Sequence, residues 1–272
     1  MDEAISWALL LCAGAGLAYF ALRIFEQINL YFPDRRLSVT PDNIGLDYED
    51  VSLVSADNIR LHGWFMPLDS PAATILFLHG NAGNISTRLE TYRHLLEVGL
   101  QVFAFDYRGY GQSKGKPSEN GLYTDADVAY RYLTHERRIP SRCIVLYGES
   151  LGGAVAAQLA TKTSVAGIIT EGTLSNIIDM AKYIYPFLPA HRLVSQKFDT
   201  ATKLRSVTAP KLIIHSQDDD VVPYALGEKL FAAAAEPKEF FPIHGGHSSG
   251  RLEMGPVYWE KIRAFADSVV KS

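Results

Sequence analysis

A chain of 272 residues, 47% hydrophobic and with a formal charge of −4, holds enough apolar material for one large α/β domain or two small ones and is not a disordered polymer. The charge balance and the lack of a dense Lys/Arg block exclude a nucleic-acid surface, which needs a concentrated basic footprint. Two cysteines, Cys12 and Cys143, supply neither a disulfide framework nor a CxxC metal or redox pair.

Residues 5–22, ISWALLLCAGAGLAYFAL, carry no charge and are closed by Arg23. That run just reaches the length of a membrane-spanning helix. The residues before it, Met1, Asp2 and Glu3, include two acids where a secretory signal would be basic, so a retained anchor is expected over residues 1–28. Arg23, Arg35 and Arg36 follow the span, which by the positive-inside tendency leaves the main domain on the cytoplasmic face. The polar, proline-containing stretch 29–50 reads as a linker and residues 51–272 as the folded domain.

Residues 51–54 and 59–66 alternate around Asp57-Asn58 as a hairpin. Apolar runs at 74–78, 102–105, 144–147, 165–170, 211–215 and 239–243 predict short strands, and helical spacing falls at about 85–98, 121–137, 151–162, 224–235 and 256–270. Strands alternating with helices predict a mainly parallel sheet covered by helices on both faces. Ligands gather beyond the carboxyl ends of such strands, where His79, Asp106, Ser150 and Asp219 fall.

The first of these ends is FLHGNAGN, residues 77–84. Its glycines let the loop approach a reacting centre, and the backbone amide of Asn81 is a candidate donor to a developing oxyanion, while the Asn81 side chain could instead hold the turn. It lacks the lysine and hydroxyl of a phosphate loop, and no GxGxxG run accompanies a dinucleotide unit, so ATP and NAD are excluded and no cofactor is expected. The next, FDYRGYGQSKGKPSE at 105–119, reads as a glycine-rich turn in which Asp106 and Arg108 have a structural role.

Residues 148–153, GESLGG, follow a short buried strand and open a small-residue helix. A serine before a helix is often no more than a cap. Glycines two before and two after Ser150, however, are what a very tight strand-to-helix turn needs to hold a hydroxyl out at the strand end, with the amide of Leu151 as a second oxyanion donor. A serine nucleophile needs a base, and the base needs an acid to orient it. KLIIHSQDDDVVP offers Asp218, Asp219 and Asp220, which spacing alone does not separate; FFPIHGGHSSG offers His244 or, past the glycine pair, the preferred His247. The order Ser, Asp, His is that of α/β-hydrolases. The other histidines, His62, His94, His135, His191 and His215, stand at no metal-ligand spacing, so no metal is expected.

Between Gly172 and Pro210 an insert, 173–209, forms a small cap containing Tyr183, Ile184, Tyr185, Phe187 and Leu188. These residues either pack the cap onto the sheet or present an apolar acyl pocket or a surface that dips into a bilayer.

HGNAGN at 79–84, DYRGYGQSKGKPSENGL at 106–122, GESLGG at 148–153, DDVVP at 219–223 and GGHSS at 245–249 together resemble the Bem46-like alpha/beta-hydrolase domain-containing family, over nearly the whole chain from Asn29 onward. The resemblance implies the alpha/beta-hydrolase fold, nucleophile Ser150, acid Asp219, base His247 and oxyanion amides at Asn81 and Leu151. Asp219 is singled out because the family's loop resembles HGxxDxVVP; this chain departs from it at Ser216, where glycine is usual. Many relatives also carry an N-terminal membrane segment. The function implied is hydrolysis of carboxylic acyl esters through an acyl-enzyme, expected here on medium- or long-chain lipid esters such as monoacylglycerols, with acyl-thioesters, acylated proteins and then amides as alternatives.

Overall fold

Runs rich in β-branched and aromatic residues form the centre of an eight-stranded sheet in a computed structural model that describes residues 3–187 and 189–270. Leu188 lies outside the described residues. The strands are β1 (Phe32–Pro33), β2 (Glu49–Val54), β3 (Arg60–Met66), β4 (Ala73–Leu78), β5 (Ala82–Gly83), β6 (Leu100–Asp106), β7 (Ile144–Glu149), β8 (Gly167–Glu171), β9 (Lys211–Ser216) and β10 (Lys238–Ile243). The helices are α1 (Glu3–Leu30), α2 (Leu89–Glu97), α3 (Glu119–Arg131), α4 (Leu151–Ala160), α5 (Ile177–Ile184), α6 (Ala190–Leu193), α7 (Thr200–Leu204), α8 (Tyr224–Ala233), α9 (Gly250–Glu253) and α10 (Pro256–Val270).

The sheet runs β10-β9-β8-β7-β4-β6-β3-β2, parallel from β10 to β6, with β3 antiparallel to β6 and β2 antiparallel to β3. Every residue of β4, β6 and β7 is buried, as in a parallel sheet covered on both faces. Because successive side chains point to opposite faces, each strand feeds two cores. Leu76, Leu78, Phe103 and Leu146 pack with residues of α3, α4 and α8, whereas Ile75, Phe77, Val102 and Val145 pack with α2 and α10. The predicted strands and the five long helices therefore occur where the apolar spacing placed them, within a few residues.

Three segments differ from expectation. Helix α1 continues past Arg23 to Leu30. It is long and apolar enough to cross a membrane, about 40 Å at 1.5 Å per residue, and side chains such as Leu10, Leu17 and Phe20 stand exposed along it. The stretch 29–50 is not a free linker: Tyr31 is buried, and β1 pairs with β5 beside the loop that follows β4. That pairing uses backbone groups while the Phe32 and Pro33 side chains stay exposed, so it leaves no apolar periodicity to read. The insert 173–209, read from the sequence only as a small cap, holds α5, α6 and α7.

Arg108 fixes the glycine-rich turn after β6. Its guanidinium binds buried Asp125 of α3, at 2.7 Å, and half-exposed Asp57 of the β2–β3 turn, also at 2.7 Å. Asp106 is buried and accepts the Ile85 amide at 2.9 Å, so both residues tie turns together. Asp125→Ala would strand the buried guanidinium face. Urea denaturation should show a loss of about 3–5 kcal/mol, against at most about 1 kcal/mol for Asp57→Ala, whose pair is open to solvent.

Candidate active site

Strand β7 ends in a turn so tight that Ser150 adopts φ 53° and ψ −117°, a region that non-glycine residues enter only at a cost of about 1–3 kcal/mol. The positions two residues before and after it cannot carry side chains. A Cβ on Gly148 would lie 2.4 Å from Gly153 Cα, and one on Gly152 would lie 1.9 Å from the Leu78 carbonyl oxygen at the end of β4. The Ser150 amide is held by the Glu171 carbonyl at 2.8 Å, tying the turn to the end of β8. Leu151 then opens α4, so its N–H is among those that no intrahelical carbonyl satisfies.

The loops after β9 and β10 bring an acid and a base to this serine. His247 Nε2 lies 3.0 Å from Ser150 Oγ, and His247 Nδ1 lies 2.7 Å from Asp219 Oδ2. A carboxylate only accepts, so Nδ1 carries the proton and Nε2 is left to accept from the serine hydroxyl. The other Asp219 oxygen accepts the amides of Val221 and Val222 at 2.9 and 2.7 Å, which fixes the carboxylate in its loop. Burial alone would raise the Asp219 pKa, but the His247 hydrogen bond and charge and these amides hold it below the usual carboxylate range. For His247, burial works downward and is outweighed by the hydrogen bond and charge of Asp219 and by the charges of Glu149 and Glu171, which carry it above the ordinary imidazole value.

The rival residues go elsewhere. His244 is exposed and pairs with Asp218 at 2.9 Å, and Asp220 accepts the His247 amide at 3.1 Å. In the loop after β4, buried His79 donates Nδ1–H to the Gly80 carbonyl at 2.7 Å. Its pKa is pushed down to about 3 by burial and the Arg88 charge, so the ring stays neutral. Gly80 lies against the elbow: a Cβ there would be 3.4 Å from Ser150 Cβ. The Asn81 side chain donates to the Leu30 carbonyl at 2.9 Å, and its own carbonyl accepts the Tyr110 hydroxyl at 2.8 Å.

A buried charge network around the elbow went unread in the sequence. Glu149 and Glu171 are paired residues at the ends of adjacent strands β7 and β8, and two buried carboxylates so placed would repel. Two arginines compensate them. Arg88 meets Glu149 at 3.0 Å, and Arg251 of α9 meets Glu171 at 2.9 Å and Glu149 at 3.3 Å. Glu149 remains ionised, its pKa brought down to about 2 as Arg88 and Arg251 overcome burial. Arg251 lies four residues after His247, and Arg88 also donates to the carbonyls of Ala82 and Asn84, so the network joins the histidine loop, the elbow and the Asn81 loop. Glutamates at two strand ends were the available signal; their partners lie 61 to 102 residues away.

In the cap, α5 buries Ile177, Met180 and Ala181 and leaves Tyr183 and Ile184 outside, and Phe187 just beyond it is 97% exposed. Tyr185 faces Phe25 of α1 at 6.3 Å between ring centres.

Comparison with known proteins agrees with this architecture. The family model described as Serine aminopeptidase, S33 matches residues 69–202. The chain is 37% identical over 239 residues to the uncharacterized protein Rv2307c of Mycobacterium tuberculosis, covering 87% of this chain and 85% of that one. It is 34% identical over 281 residues to the alpha/beta hydrolase domain-containing protein WAV2 of Arabidopsis thaliana, covering 93% and 90%. With the uncharacterized membrane protein YNL320W of Saccharomyces cerevisiae it shares 35% over 238 residues, 83% and 82% of the two chains. In fold it is similar to the Pyrococcus furiosus esterase Pf2001, TM-score 0.74 at 18% identity, covering 88% of this chain and 99% of that one.

Arg251→Met would leave Glu171 without an arginine and Glu149 with only one. Chemical denaturation should show a loss of about 3–5 kcal/mol, the usual penalty for breaking a buried pair.

Proposed function

Because this chain belongs to the alpha/beta hydrolase family, we propose that it is a membrane-anchored serine hydrolase cleaving carboxylic acyl esters, with medium- or long-chain lipid esters such as monoacylglycerols as substrates. The observation that carries this reading is the line of hydrogen bonds from Ser150 through His247 to Asp219.

In this mechanism Ser150 Oγ attacks the acyl carbonyl carbon while its proton passes to His247 Nε2. The amides of Asn81 and Leu151 stabilise the negative charge that develops on the carbonyl oxygen. Protonated His247 gives its proton to the leaving alcohol as the C–O bond breaks, and the acyl group stays on Ser150. Water, deprotonated by His247, then attacks that carbonyl; the acid departs and Ser150 recovers its proton. Asp219 remains ionised throughout, holding the imidazole in one tautomer.

Two features support a lipid-borne ester. Helix α1 exposes apolar side chains of suitable length for a bilayer, and the cap carries Tyr183, Ile184 and Phe187 at its surface. A substrate that keeps its chain in the bilayer avoids exposing methylenes to water, about 0.8 kcal/mol each. Arg23, Arg35 and Arg36 after the span support a cytoplasmic hydrolase domain. The same groups would serve a thioester or an amide, and the aminopeptidase description of the matching family model favours including amides in the test.

Glycerol and p-nitrophenyl esters of increasing chain length, with thioesters and anilides of the same acyl groups, should be compared in detergent. Rates are expected to climb into medium or long chains and to fall at least about 10⁴-fold in Ser150→Ala. Activity confined to the shortest esters would refute the lipid assignment, and faster anilide cleavage would replace ester by amide.

The pH profile provides a separate check. Neutral His247 is the active base, and its pKa is raised, so kcat/KM should drop as pH falls through an acid limb centred above 6.5, the ordinary imidazole value. Asp219→Asn should lower kcat by about 10⁴-fold and move that limb to lower pH.

A further inference from the structure

We propose that the segment leaving the apolar helix, Leu30 to Asp34, is a positioning element of the active site: it holds the His79–Asn84 loop so that the Asn81 amide is set for the oxyanion. The inference rests on Asn81 being an oxyanion donor, as in the mechanism above.

The Asn81 loop has little structure of its own. Ala82–Gly83 is a strand of two residues, too short to be stable alone, and its only strand partner among the described residues is Phe32–Pro33. Phe32 N–H donates to the Asn81 carbonyl at 2.9 Å and Asp34 N–H to the Gly83 carbonyl at 3.0 Å. The Asn81 side chain donates to the Leu30 carbonyl at 2.9 Å, and Asn84 Nδ2 reaches the carbonyls of Asp34 and Arg36 at 3.2 and 2.6 Å. Asn81 is thus gripped on both sides of its Cα: its side chain by the Leu30 carbonyl, and its carbonyl by the Phe32 N–H, a grip shared with the Tyr110 hydroxyl at 2.8 Å. With those two points held, the N–H between Gly80 and Asn81 has little freedom to turn away.

The segment is itself fixed at the end of α1. Glu26 accepts the Ser195 amide and hydroxyl at 2.7 and 2.6 Å and the Gln196 amide at 2.9 Å. Tyr31 is buried edge-on to Phe198, with ring centres 6.4 Å apart. One helix end therefore grips the cap through Glu26 and, four to eight residues on, the loop of the proposed oxyanion hole through Leu30, Phe32 and Asp34. Anchoring and catalytic geometry become a single mechanical unit.

The test uses the full chain in detergent or nanodiscs. Phe32→Pro and Asp34→Pro each delete one of the two N–H donors. Both side chains are exposed, and Phe32→Leu and Asp34→Ala keep the donors and serve as controls. Three quantities are read: kcat and KM on the best ester, the rate of Ser150 labelling by a fluorophosphonate probe, and the thermal midpoint. Loss of a whole oxyanion donor costs about 10²–10³-fold in kcat. Displacing one should therefore lower kcat and the labelling rate about 10- to 100-fold, with KM within about twofold and the thermal midpoint nearly unchanged, while the controls match wild type. Folded proline variants with wild-type kcat and labelling overturn the inference and leave the hydrolase reading intact. Absence of Ser150 labelling in wild type overturns both. If wild type is labelled but cleaves no ester, the labelling rates decide. Should the proline variants not fold, Asn81→Ala removes the Leu30 tie while keeping the backbone amide: a similar fall supports the inference, and unchanged labelling overturns it.

Discussion

The backbone at Ser150 is the constraint on which the rest of the site depends. A residue with a Cβ is held where glycine belongs, at a joint so crowded that a Cβ on Gly148 or Gly152 would run into backbone atoms. Such a conformation persists only when the surroundings over-determine it. Here they do so through a central strand buried on both faces, an amide bond to β8 and a helix that starts at the next residue. The loops after β4, β9 and β10 are arranged around that fixed hydroxyl.

Fixing one point does not orient three loops, and the buried charges supply much of what remains. Glu149 and Glu171 end neighbouring strands, and the two arginines that neutralise them arrive from the Asn81 loop side and from the turn after His247. Buried ion pairs offer weak net stabilisation but break at high cost. A network of this kind therefore favours one arrangement of loops over others while adding little to the total stability. Burial of the His247 imidazole is outweighed by the hydrogen bond and charge of Asp219, with smaller contributions from the Glu149 and Glu171 charges, which raise its affinity for the proton it is proposed to take.

The N-terminal helix extends the same logic outward. Its side chains Leu9, Leu10, Leu11, Leu17 and Phe20 stand exposed along the span, yet its last turns are packed in detail, through Glu26 on the cap and Tyr31 in the core. A helix designed only to tether would not need those contacts. The arrangement supports the proposed action at a lipid surface, with the cap residues Tyr183, Ile184 and Phe187 on the outside of the insert.

Most of the fold was legible in one dimension, because strands buried on both faces and amphipathic helices write their periods directly into the chain. The elbow was legible too: glycines at 148 and 152 answer a local steric demand, and local demands leave local signatures. Ser150 and His247 could be named as candidates from the residues, His247 being preferred over His244 by its place past the glycine pair, but choosing Asp219 among three adjacent aspartates needed the family's loop pattern; spacing alone did not separate them. The pairing of Phe32–Pro33 with Ala82–Gly83, the tie from Asn81 to Leu30 and the partners of Glu149 and Glu171 were not legible. They run through backbone groups or between charges dozens of residues apart, where composition and periodicity carry no information. The sequence by itself determined the elements, their order and the chemical types at the site. Only the tertiary structure decided which charges meet and how the helix end is joined to the loop, because those contacts exist only once the sheet has brought distant strand ends together.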